Sequence, residues 1–279
     1  MDERENAARK FLIGAQNADG GWSYVPGGTS SPESTCYALM AGAPTEGACW
    51  LMAHVHGDAI ALDGDNEPHW TTSLAVIALG GNNGLQRRLV KWLLTCEGRK
   101  VAMGAEVAMD GNLRGWPWAT GCFSWVEPTS YALLALKLHG QKNHPRVAEG
   151  ERLLLDRVCA DGGWNYGNPK VMGAALPSFV PTTALAVLAL QDVAPARDVV
   201  TRALQFMNIE VRKRPSDLSL ALAILCFNAF GMAKAELVEA LARRQRTDGS
   251  WQGQVHLTAL AVLALEASGE ARNVFRLPK

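Results

Sequence analysis

A short pattern of residues recurs along this chain, and a recurring unit constrains the fold more tightly than any local propensity. Asp19-Gly20-Gly21-Trp22, Asp161-Gly162-Gly163-Trp164 and Asp248-Gly249-Ser250-Trp251 are three copies of one glycine-rich turn. Each is followed by a connector and then by a run of small and aliphatic residues, at 34–40, 181–190 and 257–265. Runs of the same kind stand at 70–79, 127–136 and 217–225. Aligned on the position that opens each run, the six copies fall at Thr35, Thr72, Thr129, Thr183, Leu218 and Thr258, spaced 37, 57, 54, 35 and 40 residues apart. A two-helix repeat takes roughly 35–45 residues. Three of the steps are therefore one hairpin. The two long ones are a hairpin plus about 15–20 residues of extra connector, placed between an outer and an inner helix.

The runs are apolar nearly all round, as helices buried on every side must be. They are expected to begin near Glu33, Trp70, Glu127, Pro181, Asp217 and Leu257. Their partners, at 5–16, 48–56, 85–96, 147 to about 160, 196–209 and 233–245, carry one apolar stripe and one polar face, the pattern of an outer layer. The expected fold is all-α: a single (α/α)6 toroid spanning 1–279 as one domain, with inner and outer rings around a central cavity. An open helical solenoid is the alternative. The long connectors, 98–125 and 164–180, then emerge on the rim that carries the inner-helix starts, where lids are commonly built.

Composition narrows the function. Lys plus Arg equals Asp plus Glu at 27 each, so no basic excess points to nucleic acid or to an anionic membrane surface. The longest apolar stretch, 218–227, is too short for a transmembrane segment. The charged first residues do not resemble a signal peptide. The six cysteines are scattered without a Cys-x-x-Cys pair, so buried free thiols in a cytoplasmic protein are expected rather than disulfides or a metal cluster. Oligomeric state is left open.

Gln16-Asn17-Ala18-Asp19-Gly20-Gly21-Trp22 and Gln245-Arg246-Thr247-Asp248-Gly249-Ser250-Trp251 resemble the Gln-Trp repeats of squalene–hopene cyclases and related triterpene cyclases. The wider superfamily includes the protein prenyltransferase β-subunits. In the fourth copy Val158 stands where the glutamine is expected. The resemblance implies an isoprenoid-like hydrophobic ligand in a pocket at the N-terminal ends of the inner helices. The family's chemistry motifs are missing. There is no adjacent Asp pair, hence no Asp-x-Asp-Asp proton donor and no Asp-Asp-x-x-Asp metal motif, and no Asp-x-Cys zinc ligand. No metal and no cofactor are expected, and the resemblance speaks for fold more than for activity.

In the cyclases the proton-donating Asp stands two residues before a helix-opening Thr. Glu33 and Glu127 occupy that place here, and His256 occupies it in the sixth copy. Apolar walls can keep such a carboxyl protonated as a general acid. A Glu in the first turn also simply complements the helix dipole. Glu127, Glu33 and His256 are thus the candidate catalytic residues. Trp70, Trp116, Trp118, Trp125, Tyr131, Tyr37, His69 and Asp217 are the candidate ligand-binding residues, because aromatic faces hold carbocations and apolar chains alike. Asp63, Asp65 and Glu67 form a further carboxylate cluster, either an Mg²⁺ site or a solvated turn. Three functions remain open on the sequence: a terpene cyclase- or prenyltransferase-like enzyme, a non-catalytic isoprenoid or lipid binder, and a carbohydrate-active lyase or hydrolase on the same toroid.

Overall fold

The computed structural model describes residues 3–61, 69–81, 83–102, 109–269 and 273–278. Twelve α-helices account for most of them: α1 (Glu3–Gly14), α2 (Pro32–Met40), α3 (Glu46–Ala53), α4 (Thr71–Leu79), α5 (Gly84–Thr95), α6 (Val126–Leu138), α7 (Pro145–Asp156), α8 (Val180–Ala189), α9 (Arg197–Lys213), α10 (Asp217–Ala229), α11 (Ala235–Ala242) and α12 (Val255–Ser268). Two small antiparallel pairs qualify the all-α expectation. β1 (Val55–His56) pairs with β2 (Ala59–Ile60), and β3 (Lys170–Val171) with β4 (Ala174–Ala175). The first pair takes up residues expected to end a helix.

Even- and odd-numbered helices differ in what they bury. In α8 nearly every residue is buried. In α9 only Val200, Ala203, Met207 and Val211 are, a stripe at helical spacing. The even helices pack in the order α2–α4–α6–α8–α10–α12, and α12 packs back on α2. The odd helices lie against them, α3 on α2, α5 on α4, α7 on α6, α9 on α8, α11 on α10 and α1 on α12. Local chemistry sets the even-helix starts. Ser31 caps α2 by accepting from the Ser34 N–H, and Ser216 caps α10 through the Ser219 N–H. Proline in the first turn of α2 and α8 supplies a fixed φ where no N–H is needed.

The repeated turn is a fixed hydrogen-bonded device. The backbone N–H groups of Trp22, Trp116, Trp164 and Trp251 donate to the hydroxyls of Thr35, Thr129, Thr183 and Thr258 at 2.9–3.0 Å. Their indole N–H groups donate to the carbonyls of Leu12, Leu93, Leu154 and Leu241 on the preceding odd helix. One tryptophan thus ties an odd helix to the next even one. Glycine precedes Trp164 because a Cβ on Gly163 would lie 2.6 Å from the Thr183 hydroxyl. In the second copy Ile60 takes the tryptophan's place, its N–H donating to Thr72 Oγ1 at 3.0 Å. Gln16 and Gln245 each bond the carbonyl four residues on, a contact Val158 cannot make. Thr183→Val strands the buried Trp164 N–H, and should cost about 2 kcal/mol in a urea melt. An unchanged midpoint would show that the bond is dispensable.

All six cysteines are free thiols. Cys36, Cys159 and Cys226 are buried, while Cys49 and Cys122 are exposed, contrary to the expectation of burial. Among the described residues no helix is long and apolar enough to cross a membrane.

Candidate active site at the helix starts

Helices α2 and α6 each open with Glu-x-x-x-Tyr: Glu33 with Tyr37, and Glu127 with Tyr131. Residues four apart share a helix face, so each acid stands one turn before its tyrosine. Tyr37 and Tyr131 are 1% and 5% exposed, and their hydroxyl oxygens lie 2.5 Å apart. Helix α4 packs against both α2 and α6, so this bond joins two even helices that are not consecutive in the packing order. Glu33 and Glu127 are carried by the same two faces, one turn nearer the helix starts.

The two carboxyls are electrostatically coupled. Burial pushes Glu127 up to about 7, and the charge of Glu33 adds to the effect. Burial also raises Glu33, against a hydrogen bond from Tyr24 that favours its charged form. The Tyr24 hydroxyl donates to Glu33 Oε2 at 2.5 Å. Its ring meets that of His256 edge to face, with centroids 5.2 Å apart. His256, in the first turn of α12, is held below its ordinary pKa by burial, which favours neutral imidazole. Its Nδ1 is buried and has no hydrogen-bond partner among the described residues.

Aromatic rings border the same tyrosines. Trp70, just before α4, lies 5.4 Å from the Tyr131 ring and meets Trp118 at 5.0 Å, edge to face. The structure therefore brings together Glu33, Glu127, Tyr37, Tyr131, Trp70 and Trp118, with His256 joined through Tyr24. What this arrangement offers is a carboxyl whose pKa is raised to about 7, one turn from Tyr131 and the aromatic rings packed on it.

Three expected residues fall elsewhere, and a fourth, His69, borders the site. Trp116 is the repeat-turn tryptophan of the third copy. It is 2% exposed, bonded to Thr129 and Leu93, and lies beneath the Arg146 guanidinium at 4.3 Å. Its surroundings are packing between hairpins. Asp217 is buried, with one oxygen paired to Arg244 at 3.2 Å and the other accepting from Gln252 at 2.8 Å. Both oxygens are thus engaged in joining α10 to the last turn of the repeat. Trp125 lines a separate pocket between the two long connectors. His69 forms a β-bridge with Ala119, placing it in the wall that carries Trp70 and Trp118. The Asp63, Asp65 and Glu67 cluster lies outside the described residues. Among the described residues no group of three His, Cys, Asp or Glu is placed to hold a metal ion.

Sequence reasoning missed Tyr24, although a signal was available. Tyr24, Trp118 and Tyr166 each stand two residues after a repeat tryptophan. Each turns its backbone carbonyl to the start of an even helix. Tyr24 accepts from Val255, Trp118 from Trp70 and Tyr166 from Val126. An aromatic residue at this register is therefore carried to the rim and fixed against the neighbouring helix. The bond from Val255 to Tyr24 joins the last repeat to the first in the way neighbouring repeats are joined.

A cavity of about 720 Å³, lined by Ile77, Gln86, Val90, Leu94, Leu138 and His139 among others, opens at the opposite ends of α4 and α6. It is remote from the carboxyls.

The architecture is that of the type II terpene cyclases. The type II terpene cyclase MstE from Scytonema superposes with a TM-score of 0.64 at 15% identity, over 95% of this chain and 97% of that one. A variant of that enzyme in complex with geranylgeranyl dihydroxybenzoate, its substrate, gives 0.65 at 16% identity, over 95% and 96%. An ent-copalyl diphosphate synthase from Streptomyces platensis gives 0.57 at 16% identity, with 85% of this chain covering 50% of that one. At such identities the likeness is one of fold. No protein-family model and no curated protein matches the sequence.

Proposed function

We propose that the chain is a single (α/α)6 toroid whose helix starts surround a site for an isoprenoid or similar apolar chain, and that it initiates cyclisation there by proton transfer. The observation that carries this reading is Glu127, a partly buried carboxyl with a pKa raised to about 7 and lying one turn from Tyr131 and its aromatic neighbour Trp70. A general acid works best with its pKa near the operating pH. Glu127 gives its proton to a terminal alkene carbon, and the cation formed on the neighbouring carbon is attacked by the next double bond. Loss of a proton from carbon ends the sequence, so the product is an isomer of the substrate. Trp70 and Trp118 supply π faces to the cation. Glu33, coupled to Glu127 and anchored by Tyr24, tunes the acid, and the Nδ1 of His256, unpartnered among the described residues, supports its taking up the proton. The reaction uses no metal or cofactor.

The test is incubation with geraniol, farnesol or geranylgeraniol in D₂O, followed by mass spectrometry. Cyclic isomers bearing one deuterium on carbon are expected. A second reading, a non-catalytic binder of the same chains, is favoured by the absence of the Asp-x-Asp-Asp run. Under that reading the alcohol is recovered intact and unlabelled from the protein. Recovery of no bound or converted alcohol would sink both.

The Tyr37–Tyr131 bond limits the depth available below the acids, so chain length becomes a property of two residues. Wild-type protein should retain farnesol about tenfold better than geranylgeraniol, and Tyr131→Ala should remove the difference. Equal retention of both alcohols by wild type would argue against the tyrosine pair as a floor.

A further inference from the structure

A second pocket lies between the two long connectors. Its volume is about 410 Å³, within the range of roughly 300–1,000 Å³ that buries a small ligand. Leu113, Phe123 and Trp125 from the first connector face Val171 and Met172 from the β3–β4 turn across it. Phe123 is 49% and Met172 87% exposed. Large apolar side chains held open to solvent in a concave surface are what an apolar ligand would cover.

Among the described residues the charged lining has one sign: Arg157, Arg99 and Lys170 border the pocket, and no described carboxylate lines it. The side chain of Arg157 is 6% exposed. Its Nη1 faces Asp156 at 3.0 Å without making a hydrogen bond, and its Nη2 donates to the Asp110 carbonyl. Asp156 and, after it, Asp110 act against that one charge. Arg99 and Lys170 are exposed and make no ion pair among the described residues, so the described groups leave the mouth with a net positive charge. An apolar trough ending in an arginine fork and two further cations matches an apolar chain with one anionic end, because guanidinium binds carboxylate and phosphate in charge-assisted pairs.

We propose that this pocket binds an anionic amphiphile, a single alkyl or prenyl chain with a carboxylate or phosphate head, the head on Arg157, Arg99 and Lys170 and the chain along Leu113, Phe123, Trp125 and Met172. The site does not depend on the acid chemistry of Glu127. It sits two residues upstream of that acid through Trp125, so an occupied pocket borders the start of α6.

The experiment uses dodecyl phosphate and dodecan-1-ol below their aggregation limits, with calorimetry and tryptophan fluorescence as readouts. Dodecyl phosphate should bind about tenfold tighter than the alcohol and lose that advantage at high salt. The double variant Arg99→Ala, Lys170→Ala removes two exposed side chains and leaves the fold intact. It should weaken dodecyl phosphate about tenfold and leave the alcohol unchanged. Phe123→Asp should weaken both. The advantage of dodecyl phosphate over the alcohol rests on Arg99 and Lys170 and should survive loss of turnover, so failure of the acid and failure of this site are told apart. Equal affinity for the two probes, or full affinity in the double variant, overturns the proposal. So does the pattern expected of a membrane-docking turn: no binding of monomeric dodecyl phosphate, together with Met172-dependent co-sedimentation on phosphatidylglycerol vesicles.

Discussion

Glu127→Gln is expected to abolish cyclisation while making the protein more stable at pH 8. The two effects share one cause. Burial raises the Glu127 carboxyl from its ordinary range to about 7, and the Glu33 charge adds to it. The folded state therefore holds the proton more tightly than the unfolded chain does. Stability is fully present below the unfolded value near 4.5, declines as pH rises, and has been lost above about 7. The ionised carboxyl costs at most about 3 kcal/mol, a ceiling that solvent at the partly open rim reduces. Glutamine keeps the size and cannot ionise. The variant should gain roughly 1–2 kcal/mol over wild type at pH 8 and nothing at pH 4, read from urea midpoints at the two values. Because only the protonated acid donates, wild-type kcat/KM should fall about tenfold per pH unit above about 7. A Gln variant that retains turnover removes Glu127 from the mechanism. One that is inactive yet no more stable at pH 8 than wild type would place the carboxyl in water, where it has no reason to stay protonated.

The fold was legible because the repeat has a backbone reason. Thr accepts from the tryptophan N–H, and glycine clears the space between them, so Gly-Trp and the helix-opening Thr recur together although 7 to 19 residues separate Trp from Thr. Helix starts read from it fall within two residues of those observed: 33 against Pro32, 70 against Thr71, 127 against Val126, 257 against Val255. The site was legible in part for the same reason. Glu33 and Glu127 share a register, and the register puts both in the first turn of an even helix, α2 and α6. What the alignment could not give was contact across the interior. The meeting of Tyr37 with Tyr131 is fixed by how far three helices curve round, which no local spacing encodes. Asp217 misled for a related reason. A helix-start acid reads the same whether it faces a cavity or an arginine, and Arg244 arrives from a different repeat. The aromatic position two residues after the repeat tryptophan was open to reading. The glycine-rich pattern does not extend to the turn of the third copy, since Asn112-Leu113-Arg114-Gly115-Trp116 keeps only the last Gly-Trp.

The turn of that third copy yields the second large effect, a contrast between tryptophans two residues apart. Trp116→Ala should destabilise the protein by about 3–5 kcal/mol, the range for emptying a buried aromatic site. The indole is 2% exposed, its N–H is bonded to the Leu93 carbonyl at 2.8 Å, and Arg146 stacks on it while bonding the Cys96, Arg114 and Gly115 carbonyls. Removal opens a cavity between α5, α6 and α7 and strands a carbonyl. Trp118→Ala should cost less, about 1 kcal/mol, because its ring is only partly buried and its tie to α4 is made by its backbone carbonyl, which alanine retains. Its loss should fall on ligand handling instead, since it removes the edge that packs on Trp70 beside Tyr131. Loss of one aromatic pair interaction and of a π face predicts at least a tenfold drop in farnesol retention or turnover with the melt nearly unmoved. Phe at 118 should restore most of this function, because it keeps a ring face. Phe at 116 should not restore full stability, because it lacks the N–H that Leu93 requires. If Trp118→Ala melts as early as Trp116→Ala, both residues are packing and the aromatic wall of the proposed site is reduced to Trp70 and the two tyrosines.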